Sequence, residues 1–291
     1  MSPSFAFFIV ILIWSTTPLA IKWSAEGAGF SFAVLSRMAL GLLICAALLA
    51  LLRIRPHLHK RALHSYVASG TSMAGTMILA YWSSQYVSSG MISLLFGLSP
   101  LITSLGAALW LKEESLTLNK LAGMLLGLAG LLLVFRGGLA VGAAWGLVAL
   151  FIAVVMQALG LVWIKKIGDD SPPLATTCGS LLVAFPFFLL AWWLFDGHIP
   201  QDIAPRALGA IVYLGSVGSV LGFLLYYYLI KHMDTGRIAL INLITPVLAM
   251  LLGHTLNNEA VLPQVWIGAS LILLGLATHR WGVQLFQRSN V

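Results

Sequence analysis

The chain has 291 residues, of which 60% are hydrophobic and 9% are charged, and its formal net charge is +7. A water-soluble domain carries about 25% charged residues, so this composition excludes a soluble globular protein and favours one embedded in a membrane. The positive charge does not indicate a nucleic-acid partner, because Lys and Arg on a membrane protein mark its cytoplasmic loops.

Apolar runs bounded by charge, glycine or proline predict ten membrane-spanning helices, since a helix needs roughly 20 apolar residues to cross the hydrocarbon core. No basic segment precedes the first run, so we interpret it as a span rather than a cleaved signal peptide. The predicted fold class is an all-α integral membrane protein. Its predicted spans are residues 4–23, 30–52, 65–86, 90–111, 119–136, 143–165, 173–195, 207–230, 236–257 and 263–281.

One apolar, proline-containing segment occurs twice, at residues 90–113 and 236–259. Gly90, Pro100 and Glu113 match Gly236, Pro246 and Glu259 at the same offset. The repeat divides the chain into residues 1–138 and residues 139–291, each with five spans. Because five is odd, the second half must enter the membrane inverted relative to the first. We therefore predict two inverted five-helix repeats in a single membrane domain.

The distribution of basic residues supports this inversion. With a cytoplasmic N-terminus, twelve Lys and Arg fall in inside loops, three fall in outside loops, and Arg37 lies within a span. This asymmetry predicts that both termini are cytoplasmic. It also explains why Lys112 follows the first copy of the repeated segment, whereas Asn258 follows the second copy on the opposite side.

Inverted repeats are typical of secondary transporters, in which two similar halves open a central site to either side in turn. The chain also resembles a known family in several motifs taken together. It is similar to the EamA-type branch of the drug/metabolite transporter superfamily. The motifs are IWSTTPLAIKW (13–23), Arg37, the Ser99-Pro100 and Thr245-Pro246 helices ending in Glu113 and Glu259, and GMLLGLAG (123–130).

The resemblance implies a bacterial inner-membrane carrier that exports small organic metabolites, such as amino acids or related amphipathic compounds. Its expected partners are a small-molecule substrate and the lipid bilayer, with no nucleic acid and no cofactor, as a monomer or a homodimer. Spans 1, 3, 4, 6, 8 and 9 line the central cavity in the proteins that it resembles. The sequence does not fix the substrate, the direction of transport or its coupling.

Polar and aromatic residues of those spans are the candidate cavity residues, because they offer hydrogen bonds and flat apolar contact to a small solute. An alternative is that the aromatic residues near span ends belong to the interfacial belt, and that His254 only makes a packing hydrogen bond. The deeper polar residues line the cavity or bridge helices. The candidates are Trp14, Ser15, Thr16, Thr17, Trp82, Ser99, Gln157, Tyr227, Asn242, Thr245 and His254.

Three further residues stand out within the spans. Pro100 and Pro246 are candidate hinges, because proline removes a helical hydrogen bond, although each can instead be a static kink. Arg37 either pairs with a substrate carboxylate or is bound by helix-end carbonyls. No Asp or Glu lies in a span interior. Carboxylates relay protons in many carriers, so their absence favours facilitated or weakly coupled transport.

Other functions are less well supported by the sequence. His57-x-His59 has no further ligand at a suitable spacing, so we predict no metal site. The strings VSSG (87–90) and GSVG (215–218) do not match the Gly-x-Ser-Gly of an intramembrane serine protease. A channel needs a ring of like groups or an oligomeric pore. An intramembrane enzyme and a channel remain the alternatives to a carrier.

Overall fold

The computed structural model describes residues 2–111, 117–136, 141–233, 235–260 and 262–288, and every regular element within these ranges is helical. These described ranges contain twelve α-helices and two π-helical segments. They are α1 (Pro3–Ala28), α2 (Phe30–Leu51), α3 (Lys60–Ser83), α4 (Ser89–Phe96), α5 (Ser99–Gly106), π1 (Ala107–Leu111), α6 (Leu118–Arg136), α7 (Val141–Ile167), α8 (Pro173–Phe195), α9 (Pro205–Tyr213), π2 (Leu214–Leu221), α10 (Gly222–His232), α11 (Thr235–Asn257) and α12 (Pro263–Arg288).

Seven helical segments of the described chain are long and apolar enough to cross a membrane. Two shorter apolar helices lie within α6 and α12. The helix α3 is long enough but more polar, because it carries Ser65, Thr71, Ser72 and Thr76. These findings confirm an all-α membrane protein, and the arrangement as ten spans in two inverted repeats stays a prediction.

Two of the predicted spans are interrupted. Span 4 consists of α4, a turn at Gly97 and Leu98, then α5 and π1, whereas its copy α11 is one uninterrupted α-helix. Span 8 contains π2 between α9 and α10. The sequence predicted single helices in both places. π-helical segments are rare and often occur at functional sites.

The apolar core is shared between the two predicted halves. One buried cluster joins α1, α2 and α3 to α8 and α9, with Tyr81 and Phe188 fully buried in it. A second cluster joins α4, α5 and α6 to α7, α11 and α12, and includes Ile92 and Ile272. A third joins α1 to α10 and α11. Because each cluster combines helices from both halves, the halves are not separate bodies.

Four glycines bring α6 and α12 into backbone contact. A Cβ on Gly123 would lie 2.5 Å from the carbonyl oxygen of Gly275, and a Cβ on Gly130 would lie 2.5 Å from that of Gly268. Small residues of this kind let membrane helices approach closely. After a one-residue gap, Gly123 and Gly130 match Gly268 and Gly275 in the sequence with the same seven-residue spacing, so matched positions of the two predicted repeats contact each other here.

Contacts between distant residues define two ends of the bundle. At one end, Trp23 Nε1 donates to Asn257 Oδ1 at 2.8 Å. We call this the Glu259 end, formed by residues 22–31, 83–90, 195–207 and 253–260. At the other end, the loop before α3 meets the loop before α8, where His57 Nδ1 lies 3.3 Å from Ser171 Oγ. We call this the His57 end.

Candidate functional site

Arg37 is the centre of the candidate site. It lies two turns into α2 and is 5% exposed. Its Nε donates to Ser219 Oγ in π2 at 3.2 Å, and one terminal nitrogen lies 3.5 Å from the hydroxyl of Tyr81 in α3. A regular α-helix would turn residues 214–221 differently, so π2 helps to bring Ser219 to the guanidinium. Arg37 therefore joins helices of both predicted halves.

The guanidinium of Arg37 has spare hydrogen-bonding capacity. Arginine carries five N–H donors, and the contacts to Ser219 and Tyr81 engage two nitrogens. Within the described residues, no Asp or Glu forms an ion pair with Arg37; the ion pairs there are Lys22–Glu26 and His59–Asp169. A buried charge is costly unless it is paired. This arrangement suits the binding of an anionic group.

The polar run of α1 lies against the same π-helical segment. Thr16 Oγ1 shares a 2.6 Å hydrogen bond with the hydroxyl of Tyr213, the residue before π2. Thr17 donates to the Ile13 carbonyl and lies beside Gly218 of π2. The interface of α1 with π2 is thus lined by hydroxyl groups. Its residues Tyr213 and Gly218 are close in sequence to Ser219, which binds Arg37.

Two further candidates on α1 flank these threonines. The Trp14 ring lies 4.9 Å from the Tyr226 ring between centroids. Ser15 is fully buried, and its Oγ has no hydrogen-bond partner among the described residues. The structure therefore brings Trp14, Thr16 and Thr17 to π2 and α10.

The remaining candidates are more dispersed. At the Glu259 end, the centroid of the Trp82 ring lies 4.9 Å from that of the Tyr86 ring, and His254 Nδ1 lies 3.0 Å from the Glu259 carbonyl oxygen. Thr245 is buried in α11. Ser99 begins α5, Gln157 and Asn242 are half-buried in α7 and α11, and the Tyr227 side chain lies outside the described residues.

The two candidate hinge prolines occupy different positions. Pro100 is the second residue of α5, directly after the turn at Gly97 and Leu98. Pro246 lies inside the continuous α11. A Cβ on Gly97 would lie 3.5 Å from Pro246 Cγ, so the interruption of the first copy packs beside the proline of the second.

Sequence reasoning did not select Ser219 or Tyr213 as site residues, because the π-helical geometry that places them is not visible in a hydropathy pattern. The available signal was the run GSVGSVLG at 215–222, which is rich in small residues. Sequence reasoning also placed Glu259 at the end of the second copy without a site role, whereas the side chain is buried at 9% exposure and accepts hydrogen bonds from Ser89.

A cluster at the His57 end contains the residue types of a metal site. One ligand atom from each of His57, His59 and Asp170 lies within 4.8 Å of the others. The fold thus supplies a third residue that the sequence spacing did not reveal. All three are exposed. His59 Nδ1 already accepts the Ala62 N–H, and its Nε2 faces Asp169 Oδ1 at 3.7 Å. We therefore assign no metal to this cluster.

Comparison with known proteins identifies the fold's family. The profile of the EamA-like transporter family matches residues 1–136 and 144–279. The chain belongs to the EamA-like transporter family. This confirms the resemblance to the drug/metabolite transporters and makes the chain a membrane transporter by family.

EamA-like relatives align along most of the chain. The Escherichia coli K12 protein named "Uncharacterized inner membrane transporter YedA" is 24% identical over 98% of this chain and 93% of its own length. A "Probable terminal-alkyne amino-acid exporter" of Streptantibioticus cattleyicolor is 23% identical, covering 93% of this chain and 91% of that protein. A solved crystal structure superposes with a TM-score of 0.64 at 22% identity, over 96% of this chain and 97% of that one, which shows a shared fold.

Proposed function

We propose that this EamA-like protein is a secondary transporter that moves small carboxylate-bearing metabolites across the bacterial inner membrane. Arg37 binds the substrate carboxylate, and the hydroxyl groups of Thr16, Tyr213 and Ser219 orient the rest of the solute. The observation that carries the proposal is the buried Arg37 guanidinium without an acidic partner among the described residues.

Physical chemistry favours a carboxylate as the missing partner. A planar guanidinium binds a carboxylate through two parallel N–H···O bonds. Such a bond gains strength where water is excluded, because the effective dielectric constant is low. The neighbouring Trp14 and Tyr226 rings offer flat apolar surface for an amphipathic side chain. The relative named as a probable amino-acid exporter supports amino acids or related metabolites as the substrate class and efflux as the direction.

Alternating access is the mechanism that we propose for this carrier. Residues 1–138 and 139–291 form two inverted halves, with both termini cytoplasmic and the Glu259 end outside. Pro246 and the turn that precedes Pro100, at Gly97 and Leu98, act as hinges at the crossing of the two copies. The shared clusters support this scheme, since a movement of one half repacks the other. Asn242, Thr245, Gln157 and Ser99 complete the cavity, and the working unit is a monomer or a homodimer.

The proposal is tested with the purified protein in liposomes and in detergent. Amino acids are compared with the corresponding amino-acid amides, which lack the negative carboxylate. We expect saturable counterflow of the acid, a rise in melting temperature with the acid alone, and loss of both in Arg37→Met. Arg37→Lys keeps the charge but not the planar fork, and we expect weaker binding.

Two results would contradict this proposal. An equal response to the acid and its amide would exclude carboxylate recognition by Arg37. A flux that does not saturate with concentration would indicate a channel instead of a carrier. Arg37→Met removes a buried charge and keeps an apolar side chain of similar length, so the variant is expected to fold. Its unliganded melting temperature checks this.

A further inference from the structure

Two acidic residues at the Glu259 end cap helices of the opposite half. Glu259 Oε2 accepts from the backbone N–H of Ser89 at 2.9 Å and from its Oγ at 2.8 Å, at the start of α4. Asp196 Oδ2 accepts from Ser31 Oγ at 2.5 Å and from the Phe32 N–H at 3.1 Å, at the start of α2. The first N–H groups of a helix have no partner within it, and a carboxylate there gains from the helix dipole.

A glycine makes room for each carboxylate. A Cβ on Gly253 would overlap both Glu259 Oε2 and Ser89 Oγ, and a Cβ on Gly29 would lie 2.8 Å from Asp196 Oδ2. Two serine–carboxylate contacts of the same construction therefore join the two halves at one end of the bundle. They form a natural pair for comparison.

The helices that these carboxylates hold differ in their freedom to move. The helix α4 has eight residues and ends at the turn of Gly97 and Leu98, so it can pivot as a short unit. Glu259 also borders a cavity of ≈ 160 Å³, which is lined by Ser88, Met91 and Met250 among others. In contrast, α2 is one helix of 22 residues whose buried face lies in the largest apolar cluster.

The second oxygen of Glu259 connects α4 to further helices. Asn257 Nδ2 donates to Glu259 Oε1 at 3.1 Å, and Asn257 Oδ1 accepts from Trp23 of α1. The Arg206 guanidinium of α9 lies 3.7 Å from the centroid of the Trp23 ring and donates to the Leu256 carbonyl at 3.1 Å. Moving α4 away from Glu259 thus breaks the hydrogen bonds from Ser89 that connect α4 to this network.

We propose that Glu259 is the latch of the gate at its end of the transporter. While the carboxylate caps α4, the N-terminal end of α4 stays against the C-terminal end of α11, and the gate is closed. The gate opens when Ser89 leaves the carboxylate and α4 pivots at Gly97. This inference rests on the proposed function, because a gate has meaning only in an alternating-access carrier. Asp196 holds α2 permanently and is not part of the gate.

The latch is tested by accessibility, without any substrate. A reporter, Thr245→Cys, is placed in the full-length protein after Cys45→Ala and Cys178→Ala remove the native thiols. Thr245 lies roughly 18 Å along α11 from Asn257, at 1.5 Å per residue. Right-side-out and inside-out vesicles are treated with a membrane-impermeant maleimide, and the labelling rate is measured from each face.

Glu259→Gln is compared with Asp196→Asn as the matched control. The amide lacks the negative charge, and a hydrogen bond to a charged acceptor is roughly twice as strong as a neutral one. We expect labelling from the Glu259 face to rise about tenfold in Glu259→Gln, with no rise in Asp196→Asn. Ser89→Ala removes one of the two donors, and we expect a smaller rise of about threefold.

Each outcome bears on the latch directly. An unchanged labelling rate in both Glu259→Gln and Ser89→Ala overturns it, and so does an equal rise in Asp196→Asn, which would show general loosening of helix ends. If Glu259→Gln does not fold, Ser89→Ala alone decides. A rise in labelling together with absent counterflow, the latter measured in the protein that keeps Thr245 and the native cysteines, would refute the proposed transport and leave the latch standing. Counterflow together with unchanged labelling would refute the latch and leave the proposed transport standing.

Discussion

The two copies of the repeated segment have nearly the same apolar pattern but different backbones. The first copy is divided into α4, α5 and π1, with a turn at Gly97 and Leu98. The second copy is the continuous helix α11. Both contain proline at the same place, so proline alone does not divide the helix. Three positions before the proline, the first copy has Gly97 and the second has Leu243.

Glycine explains this difference in physical terms. In a helix interior it is about 1 kcal/mol less favourable than alanine, and the following proline removes one more hydrogen bond. At Gly97 a Cβ would lie 2.9 Å from the Leu94 carbonyl oxygen, which is too close for a side chain. Leu243 instead contributes apolar contact to the second buried cluster. Pro246 is therefore accommodated within a helix that Leu243 helps to keep continuous.

The largest expected effect comes from the contact that joins the two copies. A Cβ on Gly90 of α4 would lie 2.6 Å from Met250 Cγ and 2.9 Å from its Cα. We expect Gly90→Val to cost about 3 kcal/mol, because the backbone of α11 cannot move aside without repacking the core. The melting temperature of the purified protein should fall by several degrees.

Gly209→Val is the matched control for this substitution. Gly209 lies in α9, and a Cβ there would meet no atom within 4 Å. We expect its melting temperature to stay close to that of the parent protein. Equal stability of Gly90→Val and Gly209→Val would show that α4 and α11 are not packed tightly at this point.

An intermediate effect is expected when the first copy is made more like the second. Gly97→Ala places a Cβ where the present turn has no room, and a regular α-helix relieves that contact. The variant should join α4 and α5 into one helix, raise the melting temperature slightly and slow counterflow about tenfold, because α4 can no longer pivot. The reverse change, Leu243→Gly, should lower the stability of α11 by about 1 kcal/mol or more. Unchanged counterflow in Gly97→Ala would contradict a pivot at this turn.

Much of the fold was predictable from the sequence, and the reasons are clear at particular residues. Apolar length and charge placement predicted the membrane class, and the matched glycines Gly123, Gly130, Gly268 and Gly275 pair in the structure. The division of α4 from α5 was not predicted, because a single Gly97 has little effect on a hydropathy average. The π2 segment was also missed, because a hydropathy average does not reveal π-helical geometry.

The candidate site was less predictable than the fold. Arg37 was evident as a charge within a span, but its partners Tyr81 and Ser219 come from helices far away in the chain. Glu259 was placed at the end of the second repeated segment and given no site role, because it follows the last apolar residues of α11. Its burial arises only when α4 packs beside α11, and no local pattern contains that information. Sequence therefore locates the polar residues but not the contacts that give them roles.

The smallest effects are expected from substitution of the prolines. The difference between the effects of Pro100→Ala and Pro246→Ala distinguishes the two copies. Pro246→Ala restores an N–H inside α11 that can bond to the Asn242 carbonyl, so α11 should stiffen and counterflow should fall about threefold. Pro100 stands at the second position of α5, where an N–H has no helical partner in any case. Pro100→Ala should therefore change counterflow less, and the melting temperature by a degree or two.

Pro186→Ala is the control, since Pro186 lies inside α8 and has no counterpart in the other half. All three variants should insert in the membrane normally. Wild-type counterflow in Pro246→Ala would refute its role as a hinge. A larger loss in Pro100→Ala than in Pro246→Ala would show that the first copy bends at the proline itself and not at Gly97, because only then does the ring at position 100 set the geometry of the turn.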